Sequence, residues 1–130
     1  MSPAELRSWY EDYLDLSNRH DLDGLSDLLA PDVRRAHLPR GAEAWLDDLA
    51  ALFAAFPDYQ WKRIALVVED DRVAAHLRAR GTHRGAFRGV APTGRHVNIA
   101  EFGFYRIERG RITEFAGTAA EVELLAQLHG

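Results

Sequence analysis

The apolar residues of this chain change their spacing near Tyr59. Before that point they recur three or four residues apart, which is the spacing of amphipathic helices. After it they alternate with other residues, which is typical of strands that bury one face. A chain with its helices first and its longest strands afterwards favours an α+β fold, in which the helices cover one face of an antiparallel sheet.

Local signals set the expected boundaries of these elements. Ser2-Pro3 followed by Glu5 is typical of a capped helix start, and Asp21 is expected to cap a second, short helix. Pro57 is expected to end the third helix. We predict helices over 3–18, 21–30, 42–56 and 119–128, a short strand over 33–38, and longer strands near 59–68, 72–83, 95–108 and 111–117.

The composition limits which binding partners and which cellular compartment are expected for this chain. The 130 residues fit a single domain over 1–130, and the net charge of -4 argues against a nucleic-acid partner. No apolar run approaches the roughly 20 residues that span a bilayer, so no membrane partner is expected. The charged N-terminus lacks the apolar core of a signal peptide, and the chain has no Cys. We therefore expect a cytoplasmic protein.

Motifs for metal ions and cofactors are missing from the sequence. There is no H-E-x-x-H, and His76 and His83 stand seven apart on one expected strand, so they would point to opposite faces. There is no G-x-S-x-G, and the glycines do not form a phosphate-binding loop. We expect no metal and no cofactor.

The strand over 95–108 carries the most informative pattern. Its odd positions from Val97 to Tyr105 form one face, and Ala100, Phe102 and Phe104 form the other. Both faces are largely apolar, so we expect one to meet the helices and the other a second copy of the protein, which makes a homodimer.

Glu101 is the one ionisable residue among the apolar residues of the first face. An unpaired buried carboxylate has a raised pKa, which suits a general acid or base near neutral pH. Glu101 is therefore the leading catalytic candidate. The alternatives are a register shifted by one residue, or a structural ion pair with Arg63 or Arg78.

Two histidines are further catalytic candidates because of where they stand in the chain. His37 precedes the turn into the third helix, and His83 ends a strand between Gly81 and Gly85. Each either contacts a ligand or makes a structural hydrogen bond. The candidate substrate-binding residues are Tyr13, Trp45, Trp61, Arg63, Gly103, Tyr105 and Gly117; the aromatic ones would line a cavity for a flat or polyene-like ligand.

A series of short segments resembles the SnoaL-like polyketide cyclase family, within the superfamily shaped like nuclear transport factor 2. They run through nearly the whole chain: Asn18-x-His20-Asp21-Leu22-Asp23, Leu29-Ala30-Pro31-Asp32-Val33, Phe56-Pro57-Asp58, Gly81-Thr82-His83-x-Gly85, Pro92-Thr93-Gly94-Arg95, Tyr105-Arg106-Ile107, Gly110-Arg111-Ile112-x-Glu114 and Leu124-Leu125-Ala126-Gln127-Leu128.

The resemblance implies a cone of curved antiparallel sheet, closed by the N-terminal helices around a deep apolar pocket, and a dimer formed through the outer face of the sheet. It also implies catalysis without a cofactor, by an Asp on the last strand and a His on the strand before it. Those positions are Gly117 and Gly103 here. Glu101 is then the carboxylate that could replace the missing base, and the two glycines are expected to leave space for a larger substrate.

These expectations favour a cofactor-independent cyclase or isomerase of secondary metabolism, such as antibiotic biosynthesis, acting on a polyketide-like or other small apolar substrate. Intramolecular epoxide opening to a pyran or furan ring is one form of that chemistry. The alternatives are an epoxide hydrolase of the same fold, a non-catalytic binding module for a small molecule, and a purely structural dimerisation domain. Fold alone does not choose among these.

Overall fold

The computed structural model describes residues 1–118 and 120–129. Residue 119, which the expected last helix included, lies outside the described residues. The elements, in chain order, are α1 (Pro3–Asn18), α2 (Leu22–Ser26), β1 (Leu29–Arg35), α3 (Ala42–Ala55), β2 (Gln60–Glu69), β3 (Arg72–Thr82), β4 (His96–Glu108), β5 (Arg111–Gly117) and α4 (Ala120–His129).

The strands form one five-stranded sheet in the order β1-β5-β4-β3-β2. Neighbours are antiparallel except β1, which runs parallel to β5. The register shifts between Arg63 and Ala65 and between Arg106 and Ile107, and irregularities of this kind bend strands. The sheet is curved and unclosed, with helices against its concave face. The α+β fold class predicted from the sequence is confirmed.

The first helix begins as its capping sequence predicts. The Ser2 hydroxyl accepts a hydrogen bond from the Glu5 N–H, and Glu5 Oε1 accepts one from the Ser2 N–H. Asp21 caps α2 by accepting a hydrogen bond from the Gly24 N–H. These bonds satisfy donors that a helix leaves open at its start.

The prediction for 21–38 was wrong at its boundaries. The second helix ends at Ser26, and the strand occupies Leu29–Arg35 rather than 33–38. The reason is pairing that the local sequence does not encode, since Leu29 lies opposite Ile112 and Arg35 opposite Phe115 on β5.

The four later strands lie within one residue of their predicted bounds. In α4, Leu124 and Leu128 are buried but Val122 is exposed.

The two faces of β4 divide as the alternation predicts. Val97, Ile99 and Tyr105 are buried against the helices. Phe102 and Phe104 point outward and are 51% and 47% exposed in the single chain. The concave face therefore holds the core, and the convex face carries large apolar side chains in contact with solvent. None of the helices within the described residues has the length and apolar character needed to cross a bilayer.

Candidate active site

A cavity of about 420 Å³ lies between the concave face of the sheet and the helices. Its walls are mainly aromatic and aliphatic, with one carboxylate from β4, Glu101, among them. A cavity of this size and character suits a small organic ligand. The aromatic side chains of the lining include Tyr13, Trp45, Tyr59, Trp61, Tyr105 and Phe115.

Glu101 is held in this cavity by two donors, one on the residue before β2 and one on β2 itself. The Tyr59 hydroxyl donates to Glu101 Oε2 at 3.0 Å, and the Trp61 indole N–H donates to the same oxygen at 2.7 Å. Within the described residues, Oε1 accepts no hydrogen bond. One oxygen of the carboxylate is therefore fixed, and the other is left for a ligand.

The surroundings of Glu101 also set its acidity. Burial raises the pKa of Glu101, and the hydrogen bonds from Tyr59 and Trp61 hold back part of that rise. A carboxyl with a raised pKa accepts a proton more readily near neutral pH than an exposed one does. The carboxylate is thus suited to receive and return a proton.

Asn18 determines where Trp61 stands. Its side-chain oxygen accepts from the Trp61 N–H at 2.7 Å, and its side-chain N–H donates to the Trp61 carbonyl at 2.9 Å. This pair of bonds ties the end of α1 to the first residues of β2. Because the Trp61 backbone is fixed, its indole N–H stays within reach of Glu101.

A cluster of tyrosines borders the cavity beside Glu101. The Tyr10 hydroxyl donates to the Tyr105 hydroxyl at 3.2 Å, and the rings of Tyr13 and Tyr105 meet edge to face with centroids 5.8 Å apart. Burial raises the pKa of Tyr13 to about 12 and that of Tyr105 well above its ordinary value. Both hydroxyls therefore keep their protons at neutral pH and can donate to a ligand oxygen.

Gly103 and Gly117 do not leave the space for a larger substrate that the sequence predicted. A Cβ on Gly103 would lie 2.7 Å from the Tyr105 hydroxyl, and one on Gly117 would lie 2.5 Å from Cζ of Phe115. Aromatic side chains two residues away thus fold over both glycines and occupy that space. Gly103 still lines the cavity through its backbone, but Gly117 is not part of its lining.

Three other predicted site residues lie outside the cavity lining. His37 stands beyond the end of β1 in a turn with φ of 62° and is exposed. His83 is buried, but its Nδ1 accepts a hydrogen bond from the Thr93 N–H and its ring packs on Phe56. Arg63 forms an ion pair with Glu11 on the outside of α1. None of the three lines the cavity, and ligand contact by them stays a prediction.

A charged rim borders one part of the cavity. Arg35 on β1 donates to Asp48 on α3 at 2.8 Å, and Asp48 lies 3.8 Å from Arg88. Arg88 in turn pairs with Glu121 on α4 at 2.8 Å. These four side chains connect β1, α3, the segment between β3 and β4, and α4 across the border of the cavity.

Sequence reasoning missed Tyr59 and the charged rim. Tyr59 and Trp61 are two residues apart, so strand alternation alone could have placed both on the face of Glu101. The charged rim could not be predicted from the sequence, because its residues come from distant segments and the predicted end of β1 was wrong.

Comparison with known proteins places the chain in a family. A sequence model described as SnoaL-like polyketide cyclase matches residues 4–128. The chain belongs to the SnoaL-like polyketide cyclase family. The resemblance read from the sequence is thereby confirmed. No curated protein matches the chain.

Solved structures of other proteins share this fold over nearly the whole chain. IdmH from Streptomyces antibioticus, described as a candidate polyketide cyclase, is 32% identical over 100% of both chains, with a TM-score of 0.79. A SnoaL-like polyketide cyclase from Agrobacterium tumefaciens is 29% identical over 95% of this chain and 97% of its own, with a TM-score of 0.80. AclR from Streptomyces galilaeus, described as a candidate hydroxylase, is 28% identical over 98% of this chain and 83% of its own, with a TM-score of 0.88.

This SnoaL-like chain differs where the resemblance implied a catalytic His and Asp. The two positions are Gly103 on β4 and Gly117 on β5, which lie directly opposite each other in the sheet. Glycine carries no proton-transfer group. Any acid–base chemistry in this cavity must therefore come from other side chains, and Glu101 lies two residues from Gly103.

Proposed function

We propose that this protein is a cofactor-independent cyclase or isomerase that acts on a small, largely apolar, polyketide-like metabolite by general acid–base catalysis. The observation that carries the proposal is the unequal use of the Glu101 oxygens. Two donors hold Oε2, and Oε1 is left without a hydrogen bond from the described residues in an apolar cavity. A positioned base with a raised pKa needs no bound ion or coenzyme to move a proton.

The roles follow from what each group can donate or accept. Glu101 Oε1 takes a proton from a carbon or hydroxyl of the substrate and returns it to the product. Tyr13 or Tyr105 donates to the oxygen on which negative charge develops. The aromatic walls hold the flexible substrate in the folded form that leads to ring closure, which can contribute on the order of 7 kcal/mol.

A simple proton-transfer probe tests this role without the natural substrate. In 5-nitrobenzisoxazole, a base removes the proton on C3, the C–H electron pair becomes the third bond of a nitrile, and the N–O bond breaks to leave a phenolate. We expect the protein to accelerate this ring opening above the buffer rate, and Glu101→Gln to remove the acceleration. The rate should rise with pH as Glu101 loses its proton.

Glu114→Gln is the matched control. Glu114 lies on the neighbouring strand, is paired with Arg34 and Arg72, and is not part of the cavity lining. Its variant should keep the full rate. No acceleration by the wild type, or equal rates for wild type and Glu101→Gln, would contradict the proposed base and favour the non-catalytic binding module.

A second measurement distinguishes ring closure from hydrolysis of an epoxide. Opening of an epoxide by an internal hydroxyl gives a ring, whereas opening by water gives a diol. Reaction of a hydroxy-epoxide polyketide fragment in ¹⁸O-labelled water separates them, because only hydrolysis adds solvent oxygen to the product. We expect ring formation without label; a labelled diol would favour the epoxide hydrolase.

We also propose that the protein is a homodimer formed through the convex face of the sheet. Phe102, Phe104 and Val67 are exposed there beside a shallow apolar depression that Ala74 and Ala116 also border. A second copy of the same face would cover these side chains. A single domain over 1–130, a place in secondary metabolism and a cytoplasmic location remain predictions.

A further inference from the structure

The Arg35 side chain is almost completely buried although it carries a permanent charge. Only 4% of it is exposed, at the end of β1, and it lines the cavity. A guanidinium keeps its proton in proteins, so this charge cannot be relieved by deprotonation. The proton transfer proposed for Glu101 makes no use of it.

The bonds of Arg35 leave part of its hydrogen-bonding capacity open. Nε and Nη2 donate to the Pro39 carbonyl, at 3.1 and 2.8 Å, and Nη1 donates to Asp48 Oδ2 at 2.8 Å. A guanidinium has five N–H groups. Within the described residues three of the five are used, so one N–H remains on each terminal nitrogen. Two such donors can hold both oxygens of a carboxylate.

The charge of Arg35 is only partly balanced by its protein partners. Asp48 is 43% exposed on its side chain and also lies 3.8 Å from Arg88, so it is solvated and shared between two cations. Pro39 offers a neutral carbonyl, and the Trp45 ring lies 5.7 Å from the guanidinium carbon. An anion in the cavity would complete this site.

We propose that Arg35 is a binding site for an anionic oxygen of the ligand, a carboxylate or the enolate or phenolate oxygen of a polyketide-like chain. The proposal rests on the proposed function only in taking the bound molecule to be the substrate. It deepens that function by naming a substrate class, because an apolar molecule with an acidic group would be selected over a neutral one of the same shape.

Arg35 and Glu101 stand at different places along the cavity. Arg35 lies opposite Phe115, which lies opposite Tyr105, and Glu101 comes four residues before Tyr105 on β4. Four residues of extended strand are about 13 Å long. The acidic group is therefore an anchor at a distance from the reacting atoms, and Arg35 acts in specificity rather than in proton transfer.

A pair of probes with the same ring system tests this anchor. 2-Naphthoate carries a carboxylate, and 2-acetonaphthone has a neutral ketone in its place. We expect isothermal titration calorimetry to show that the protein binds the naphthoate at least about tenfold more tightly than the ketone, as charged hydrogen bonds in a partly buried site imply. The Trp45 indole N–H signal in the NMR spectrum should shift with naphthoate, because that ring lies beside Arg35.

Variants separate binding from structure. Arg35→Gln should reduce naphthoate affinity at least about tenfold and change ketone affinity little. Asp48→Asn keeps Arg35 and removes the competing carboxylate, so it should tighten naphthoate binding; this variant keeps the test valid if Arg35→Gln does not fold. Arg34→Gln is the matched control, because this exposed arginine of the same strand pairs with Glu114 and does not line the cavity, and the variant should keep the affinity.

The outcomes that overturn the anchor are clear. They are absence of naphthoate binding to the wild type, equal affinity for both probes, or weaker naphthoate binding in Asp48→Asn. None of these measurements depends on turnover. If Glu101→Gln leaves both naphthoate binding and benzisoxazole opening unchanged, the proposed base fails and the anchor stands.

Discussion

The Trp61 indole N–H donates to Glu101 Oε2 across 2.7 Å, and no other residue in the described part of the chain donates to that oxygen except Tyr59. Trp61 lies on β2 and Tyr59 directly precedes that strand, whereas the carboxylate stands on β4, with β3 between them. The geometry therefore depends on the register of three strands. It gives the carboxylate one fixed oxygen and one that accepts no hydrogen bond from the described residues.

Removing the indole donor should raise the pKa of the Glu101 carboxyl further. Trp61→Phe keeps an aromatic ring but loses the bond that stabilises the charged form, so we expect the pKa of Glu101 to rise by about one unit. Carbon-13 NMR of the side-chain carboxyl measures it. Trp45→Phe, which alters another cavity tryptophan without a bond to Glu101, should leave that pKa unchanged; a similar rise in both variants would contradict the account.

The free energy of unfolding should depend on pH through Glu101. The folded-state pKa of Glu101 is raised by burial, so its protonated form favours folding below the unfolded pKa of about 4.3, and that contribution is lost as pH rises through the folded value. Glu101→Gln removes the buried charge. We expect the variant to be more stable than wild type at pH 8, by about 1.4 kcal/mol for each unit of the shift, and to lose that advantage at pH 4.

Urea unfolding of both proteins across this pH range measures the difference. Glu114→Gln serves as the comparison, because it removes a carboxylate that lies outside the cavity and is paired with arginines. A difference between Glu101→Gln and wild type that grows as pH falls would have the wrong sign for a carboxyl with a raised pKa.

Gly103 should be required for the position of the Tyr105 ring. A methyl group at residue 103 would stand 2.7 Å from the Tyr105 hydroxyl, so that side chain must move and its bond with Tyr10 must change. We expect Gly103→Ala to destabilise the protein by about 1–3 kcal/mol. In a Tyr105→Leu background, which removes both the hydroxyl and the ring carbon Cε1 that lie 2.7 Å from that methyl group, the same change should destabilise less. Equal effects in both backgrounds would show that the Tyr105 side chain does not set the constraint.

The convex face gives a prediction about assembly. Phe102→Glu together with Phe104→Glu places two charges among apolar residues, so the proposed dimer should separate into single chains. Sedimentation equilibrium measures the change. Ala50→Glu, an exposed change on α3, should leave the mass unaltered. A wild type that sediments as a single chain would overturn the proposed dimer.

The sequence predicted the elements whose signals are local. α1 has its capping box, α3 ends before Pro57, and the long strands alternate clearly, so their bounds agree with the structure to within a residue or two. β1 has no such signal. It exists because Leu29–Arg35 pairs with β5, about 80 residues away in the chain, and pairing of that kind is invisible to a local pattern.

The candidate site could likewise be predicted from the sequence only in part. Glu101 could be found because a carboxylate interrupts an apolar face of a regular strand. The sequence could not predict whether the side chains of His37 and His83 point into the cavity. Both residues stand just beyond strand ends, where the direction of a side chain depends on the turn that follows. The space over Gly103 and Gly117 was misjudged because Tyr105 and Phe115 bend toward them.

The pKa of Glu101 in the wild-type protein tests the central claim most directly. Carbon-13 NMR of the side-chain carboxyls, with Glu101→Gln to assign the signal, gives this value without a known substrate. The account predicts a pKa raised clearly above the reference of about 4.3, because the carboxyl is buried in an apolar cavity. A pKa at or below that reference would mean a solvated or ion-paired carboxylate, and it would contradict the assignment of Glu101 as the base.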